Sequence, residues 1–238
     1  MTTMAAHYTS LGEAFRAAVE GEGPVNERLA IFADTLRRLD PAFTAMVDRY
    51  IARLEAVGAG QSAPGVGEPM PEFVLPDEEG HLTPLGAFLD KGPAVIALHR
   101  GHWCPYCRIN ARALAQAHRA LADLGGSVVA ITPERAAFAA RFRQSADAHY
   151  PVLVDIDNGY ALALNLAIWL DADMRRGMES FNVDLAGYQG NDHWMLPIPA
   201  TFVVGTDGIV KARFIDPDYR RRMDIDDLLA AVAAIGPA

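Results

Sequence analysis

Cysteine is scarce in this chain, which has only two among its 238 residues. The disulfide frameworks of small secreted domains need more cysteines than that. A chain of this length can bury a large core without such cross-links. The two cysteines are therefore interpreted as reactive groups rather than as structural staples.

Long apolar runs and basic clusters are also missing. No stretch approaches the roughly 18 apolar residues of a membrane helix. The opening MTTMAAHYTS has neither the basic cluster nor the apolar run of a signal peptide, and we expect none. Acidic residues outnumber basic ones by 30 to 21, which excludes a general attraction to nucleic-acid phosphates. The one basic run, Arg220 to Arg222, is interpreted as a solvated turn. We expect a cytoplasmic protein with no nucleic-acid or membrane partner.

The first part of the chain, residues 1–62, predicts a helical extension that ends in a linker. Leu29, Phe32 and Leu36 recur at helical spacing, and similar apolar stripes lie on either side. The linker is rich in glycine and other small residues. We expect these helices to stabilise the fold or to mediate a homodimer, without adding chemistry.

Residues 63–238 predict a second unit of the α/β class. The run at 93–98 has the composition of a strand that is buried on both faces. Strands then alternate with helices, which favours parallel pairing. A closing hairpin around Thr206-Asp-Gly208 adds antiparallel strands. The stretch 168–197 carries no clear periodicity and is predicted to be a long loop, of the kind that often forms a lid or a binding loop and that could reach the site.

The two cysteines, Cys104 and Cys107, form a CxxC pair where the buried strand gives way to a helix. Unpaired N–H groups and the positive end of a helix favour a thiolate there. A thiolate is the attacking species in disulfide exchange and in peroxide reduction. His99 and His102 could complete a metal site with this pair, but zinc ligand pairs are usually separated by a longer loop. We therefore predict a redox site with no metal and no cofactor.

Several motifs give this chain a family resemblance. Residues 103–107 (Trp-Cys-Pro-Tyr-Cys) after a strand resemble the thioredoxin fold. More closely, the chain from about Gly67 resembles the peroxiredoxin-like branch of the alkyl hydroperoxide reductase/thiol-specific antioxidant family. The segments that carry this resemblance occur in the expected order and are residues 71–77, 99–108, 130–134, 151–155, 194–202 and 216–219.

The resemblance implies a thioredoxin-like mixed sheet, peroxide reduction by a cysteine and regeneration by thioredoxin or a similar dithiol donor. Typical members carry Pro-x-x-x-Thr-x-x-Cys at the strand–helix junction, where this chain has Arg100, Cys104 and Cys107. By that register Cys107 takes the peroxidatic position. By thioredoxin logic Cys104 is the exposed nucleophile, and we expect it to attack first.

The remaining candidate residues are those expected to bind substrate. They are Trp103, Arg100, Arg108 and Pro199. Either arginine could orient a peroxide or lie on the surface. By resemblance, the Ile198–Pro199 bond is expected to be cis and to face the CxxC pair.

Two other functions are weighed against a peroxidase. One is a thiol–disulfide oxidoreductase that acts on protein disulfides. The other is a redox-regulated binding module, in which the cysteines switch a partner surface on the N-terminal helices. Peroxide turnover, insulin reduction and redox-dependent binding would distinguish the three.

Overall fold

The computed structural model describes residues 8–236, and its N-terminal part is helical as predicted. Helices α1 (Leu11–Glu20), α2 (Val25–Leu39) and α3 (Pro41–Ala56) follow one another closely. The break between α2 and α3 is local in origin, because the Asp40 side chain accepts from a backbone N–H in the first turn of α3.

The strands of the second part are short. Those of the described residues are β1 (Val74–Pro76), β2 (Leu82–Pro84), β3 (Ala94–Leu98), β4 (Ser127–Thr132), β5 (Val152–Val154), β6 (Ala167–Trp169), β7 (Met195–Pro197), β8 (Ala200–Val204) and β9 (Val210–Ile215).

Helices connect most of these strands. They are α4 (Gly86–Leu89), α5 (Pro105–Asp123), α6 (Ala136–Ala146), α7 (Gly159–Ala163), α8 (Ala172–Ser180), α9 (Leu185–Gln189) and α10 (Ile225–Ala233), with a short 3₁₀ turn at Ile156–Asn158.

The central sheet has the order β5-β4-β3-β8-β9. Strands β3, β4 and β5 are parallel, whereas β8 runs antiparallel to β3 and β9 antiparallel to β8. This mixed sheet flanked by helices is a thioredoxin-like fold, which confirms the predicted class. Leu98, the last residue of β3, pairs with Ala200 and Ile131 and so ends in the middle of the sheet.

The two faces of the sheet bury alternate residues of each strand. Val95 and Ala97 face the layer that contains α5, while Ile96 and Leu98 belong to a second apolar cluster on the opposite face. This alternation is the period-two pattern of a strand that is covered on both sides. By the same alternation, the side chain that follows Leu98 faces α5.

The N-terminal helices cover the outer face of α5. Phe32 of α2 packs edge-to-face on Tyr106, with ring centroids 5.3 Å apart. Arg28 donates to the side chain of Gln116 at 2.8 Å and to two carbonyls of α1. The extension is therefore packed against the sheet-bearing unit. No helix within residues 8–236 is both long and apolar enough to cross a bilayer.

The prediction of a long loop at 168–197 is wrong. This stretch contains the end of β6, helices α8 and α9, and β7, with β6 and β7 paired antiparallel. Its elements have three to nine residues, which is too short for a periodic apolar pattern to stand out. Trp169, the last residue of β6, is 64% exposed.

Candidate active site

The CxxC pair lies at the junction of β3 and α5, as the sequence predicts. Cys104 is the N-cap of α5, Pro105 is its first residue and Cys107 lies in its first turn. Both cysteines are free thiols. Their exposed fractions are 1% for Cys104 and 0% for Cys107. Cys104 is therefore not the exposed thiol that we expected from the sequence. The cause is the layer of α2, α3 and α8 in front of the junction.

Donors and cations converge on the sulfur of Cys107. The backbone N–H of Arg100 donates to Sγ at 3.3 Å, and Nη2 of Arg222 donates to it at 3.6 Å. Burial by itself would raise the pKa of the Cys107 thiol. Three features together hold that pKa well below its ordinary value. They are a hydrogen bond from the Cys104 thiol, the contact with the His99 imidazole and the positive charge of the Arg222 guanidinium.

Cys104 has the opposite electrostatic environment. Burial raises the pKa of its thiol well above the ordinary value, and the hydrogen bond and charge of Cys107 act in the same direction. The Cys104 side chain makes no capping bond to the N–H groups of α5. The stabilisation expected for a thiolate at this N-cap is therefore absent, because the sulfur faces a cavity instead of the helix end.

The cavity in front of Cys104 has a volume of about 260 Å³. Its walls are mainly apolar, and besides residues near the CxxC pair and Tyr219 they come from two other parts of the chain. The N-terminal extension contributes Leu11, Phe32, Leu36 and Phe43. Helix α8 and the turn after it contribute Met174, Met178, Phe181 and Val183. The extension thus shapes the site, although we expected it only to stabilise the fold or to form a dimer.

Arg100 is the charged group of this cavity. Its guanidinium lies 3.9 Å from the ring centroid of Tyr219 and 5.0 Å from that of Trp103. Burial would lower the pKa of Arg100, but the sulfur of Cys104, followed by the Tyr219 phenol, raises it above the ordinary value. Arg100 therefore remains a cation next to both cysteines, held between two aromatic rings.

Arg108 lies elsewhere. Its guanidinium is 4.5 Å from the ring centroid of Phe15 in α1, and burial lowers its pKa. Of the two arginines proposed from the sequence, the structure brings Arg100 to the cavity and places Arg108 against the N-terminal extension. Trp103, the other predicted contact, also lines the cavity.

The prediction of a cis bond before Pro199 is wrong. No cis peptide bond occurs within residues 8–236. The N–H of Ile198 donates to the carbonyl of Leu166 at 2.7 Å, which extends the β6–β7 pairing up to Pro199. The chain thus enters β8 in an extended conformation, and a trans bond is the default for such geometry. Pro199 is buried but does not line the cavity at Cys104.

A buried carboxylate fixes the turn that carries Arg100. Glu134 accepts from the backbone N–H of His102 at 2.7 Å and bonds its ring Nδ1 at 2.6 Å. Gly101, with φ of +141°, allows this approach, since a Cβ there would lie 2.5 Å from the Glu134 carboxyl carbon. Burial raises the pKa of Glu134 against these bonds. This role of Glu134 was not predicted from the sequence.

The two histidines have different surroundings. The ring of His102 stacks on Phe138, whereas the ring of His99 packs on Phe142 in the layer that contains Cys107. Neither ring nitrogen of His99 makes a hydrogen bond of good geometry. The described part of the chain has no cluster of three metal-ligating side chains.

Arg222 is the most important residue that sequence reasoning missed. It was assigned to a solvated turn, yet it is 2% exposed. Its neighbours Arg220 and Arg221 form ion pairs with acidic residues of the same turn, and of these two side chains only Arg221 is exposed. One sequence feature could have indicated a role for Arg222, because this arginine run begins directly after the segment 216–219, which resembles the family.

The fold and the geometry of the site already indicate a class of protein, and comparisons with solved structures support it. Among solved structures, the chain is similar to peroxidoxin BcpB from Mycobacterium tuberculosis, with 22% identity over 72% of this chain and 98% of that one, and a TM-score of 0.57. A cysteine mutant of peroxiredoxin 6 from Arenicola marina gives 16% identity, 71% coverage of each chain and a TM-score of 0.55. These likenesses show a peroxiredoxin-type thioredoxin fold.

The family follows from the sequence match. Residues 66–213, well over half of the chain, match the model of the AhpC/TSA family. The chain belongs to this family. No curated protein matches it. Family and fold together support a thiol-dependent peroxidase. The residues outside the match include the N-terminal extension and the turn that carries Arg222.

Proposed function

We propose that this protein is a peroxidase in which Cys107 attacks the peroxide and Cys104 resolves the product. The observation that carries the proposal is the pair of donors on the Cys107 sulfur, the Arg100 N–H and the Arg222 guanidinium. These stabilise a thiolate, which is the nucleophilic form of the group. The family register supports the same choice. The earlier expectation that Cys104 attacks is therefore replaced.

The proposed reaction balances over three steps. The thiolate of Cys107 breaks the O–O bond and becomes a sulfenic acid, and the leaving oxygen takes a proton to form water or an alcohol. The Cys104 thiol then condenses with the sulfenic acid, which forms the disulfide and releases water. A dithiol donor such as thioredoxin finally reduces the disulfide and is itself oxidised.

The cavity supports a peroxide as the substrate. Cys104 and the Arg100 cation line it, and Arg100 can hold a peroxide oxygen as negative charge develops on it. Cys107 does not line the cavity, so the proposal requires the peroxide to pass Cys104 to reach the Cys107 sulfur. Apart from Arg100 and Cys104, the cavity walls are mostly apolar, which suits hydrogen peroxide or an organic hydroperoxide. Such a reaction fits a reducing compartment, and we place the protein in the cytoplasm.

Burial of the cysteines argues against the oxidoreductase of protein disulfides. A protein substrate must bring its own sulfur to the attacking one, and the two cysteines are only 0% and 1% exposed. We therefore expect slow insulin reduction compared with peroxide turnover.

The test is peroxide consumption coupled to a thioredoxin system, for the wild type and for Cys107→Ser and Cys104→Ser. Cys107→Ser should lose activity by several orders of magnitude. Cys104→Ser should react once and then accumulate sulfinate on Cys107, because no neighbouring thiol resolves the sulfenate. Mass spectrometry after a peroxide pulse locates the oxidised sulfur. Sulfenate on Cys104 in Cys107→Ser would reverse the assignment.

A further inference from the structure

The N-terminal extension is joined to the turn that carries Arg222 through one side chain. Asn26, the second residue of α2, accepts from the backbone N–H of Arg222 at 3.0 Å and donates to its carbonyl at 2.8 Å. It also donates to the side chain of Asp224 at 2.8 Å. These bonds connect residues almost 200 positions apart, since the sequence separation is 196 and 198.

The guanidinium of Arg222 is itself bound to the backbone of the same turn. Its Nη1 donates to the carbonyl of Arg221 at 2.6 Å and to that of Tyr219. The other nitrogen, Nη2, faces the sulfur of Cys107. Because the side chain is tied to its own turn, the position of the turn sets the distance between the guanidinium and the sulfur.

We infer that Asn26 is a positioning residue, which holds the turn of Arg222 so that the guanidinium stays against the sulfur of Cys107. The extension then acts on the chemistry of the site, beyond shaping its cavity. Both residues lie outside the segment that matches the family model. The expected effect of Asn26 on peroxide reduction rests on the proposed function. The expected effect of Asn26 on the Cys107 thiolate does not.

Other titratable or charged groups also lie near the Cys107 sulfur and bear on its titration. They come from β3 and the turn after it, from the start of α5 and from the end of β4, and they are His99, Arg100, Cys104 and Glu134. A change at Asn26 leaves all four in place, so any change in thiolate titration reports on Arg222.

The first measurement is the thiolate absorbance of the reduced protein as a function of pH, for the wild type and Asn26→Ala. We expect Asn26→Ala to titrate at higher pH, because the cation moves away from the sulfur. The rate constant of Asn26→Ala with peroxide should be roughly three- to tenfold below the wild-type value near pH 6. The two values should converge at a pH where the Cys107 thiolate is fully formed in both proteins. A loss that is equal at every pH would contradict the inference.

Two variants separate positioning from general loosening of the extension. Gln116→Ala removes the 2.8 Å bond between Arg28 of α2 and α5 without touching Arg222, and it should titrate like the wild type. Asn26→Asp introduces an acidic group that suits a helix start but places it against Asp224. It should remain folded and shift in the same direction as Asn26→Ala.

A double-mutant cycle decides whether Asn26 acts through Arg222. In the background of Arg222→Ala, Asn26→Ala should cause no further change in thiolate titration. An equal change in both backgrounds, or a wild-type titration of Asn26→Ala, would overturn the inference. If the titration shifts as expected while no form of the protein consumes peroxide, the positioning role stands and the proposed function fails.

Discussion

Cys107 and Cys104 lie within one turn of α5, but their surroundings differ in kind. The Cys107 sulfur accepts from the Arg100 N–H and faces the Arg222 guanidinium, whereas the Cys104 sulfur faces a cavity with mostly apolar walls. Both sulfurs are buried near arginine cations, but the pKa of Cys107 is lowered by the hydrogen bonds that it receives, whereas burial and the hydrogen bond to Cys107 raise the pKa of Cys104. The difference separates two tasks, which are activation of the nucleophile and selection of what reaches it.

The largest effect is expected at Arg222, and the contrast between the two cysteines would be contradicted if Arg222 were dispensable. We expect Arg222→Met, which keeps much of the buried volume, to lower the peroxide rate constant by roughly 10- to 100-fold at neutral pH, because a charge-assisted contact to the thiolate is lost. The loss should shrink as pH rises through the thiolate titration. Stopped-flow kinetics over a range of pH values would measure it.

Arg221→Met is the matched control for that experiment. Arg221 lies next in the chain, but its side chain is 66% exposed and pairs only with acidic residues of the turn. A surface pair of this kind contributes little, so the control should react like the wild type. An equal loss in both variants would show that only the net charge of the turn matters.

The cavity side of the comparison is tested by filling the cavity. Leu36→Phe should reduce the rate with cumene hydroperoxide about fivefold relative to hydrogen peroxide, since a larger side chain takes space from the bulky substrate. Leu39→Phe is the control, because Leu39 lies on the same helix, is 44% exposed and does not line the cavity. An unchanged ratio of the two substrates in Leu36→Phe would separate the cavity from substrate choice.

The smallest effect is expected at the ring beneath Arg100. Tyr219→Phe keeps the aromatic face 3.9 Å from the guanidinium carbon and should change the rate by about twofold or less. Tyr219→Leu removes that face and should cost about threefold to fivefold, for either substrate. Steady-state kinetics would compare the two. Equal losses would assign the effect to the hydroxyl rather than to the ring.

The secondary structure around the site could be predicted from local sequence. The apolar run of β3, Pro105 at the start of α5 and the hairpin between β8 and β9 are strong local signals, and the structure confirms them. Strands β6 and β7 could not be predicted, because a strand of three residues has no periodicity of its own. The hydroxyl of Tyr50 in α3 donates to the carbonyl of Trp169 in β6, and tertiary contacts of this kind stabilise the two strands instead.

Sequence alone determined that two cysteines stand at a strand–helix junction of a mixed α/β sheet, since each of those features depends on neighbouring residues. The tertiary structure decided which sulfur is stabilised as a thiolate. That choice depends on Arg222, which is 115 positions from Cys107, and on Asn26, which is 196 positions from Arg222. Three consecutive arginines are chemically alike in sequence, and only the packing of their turn directs one guanidinium inward, where low polarity strengthens its effect on the sulfur.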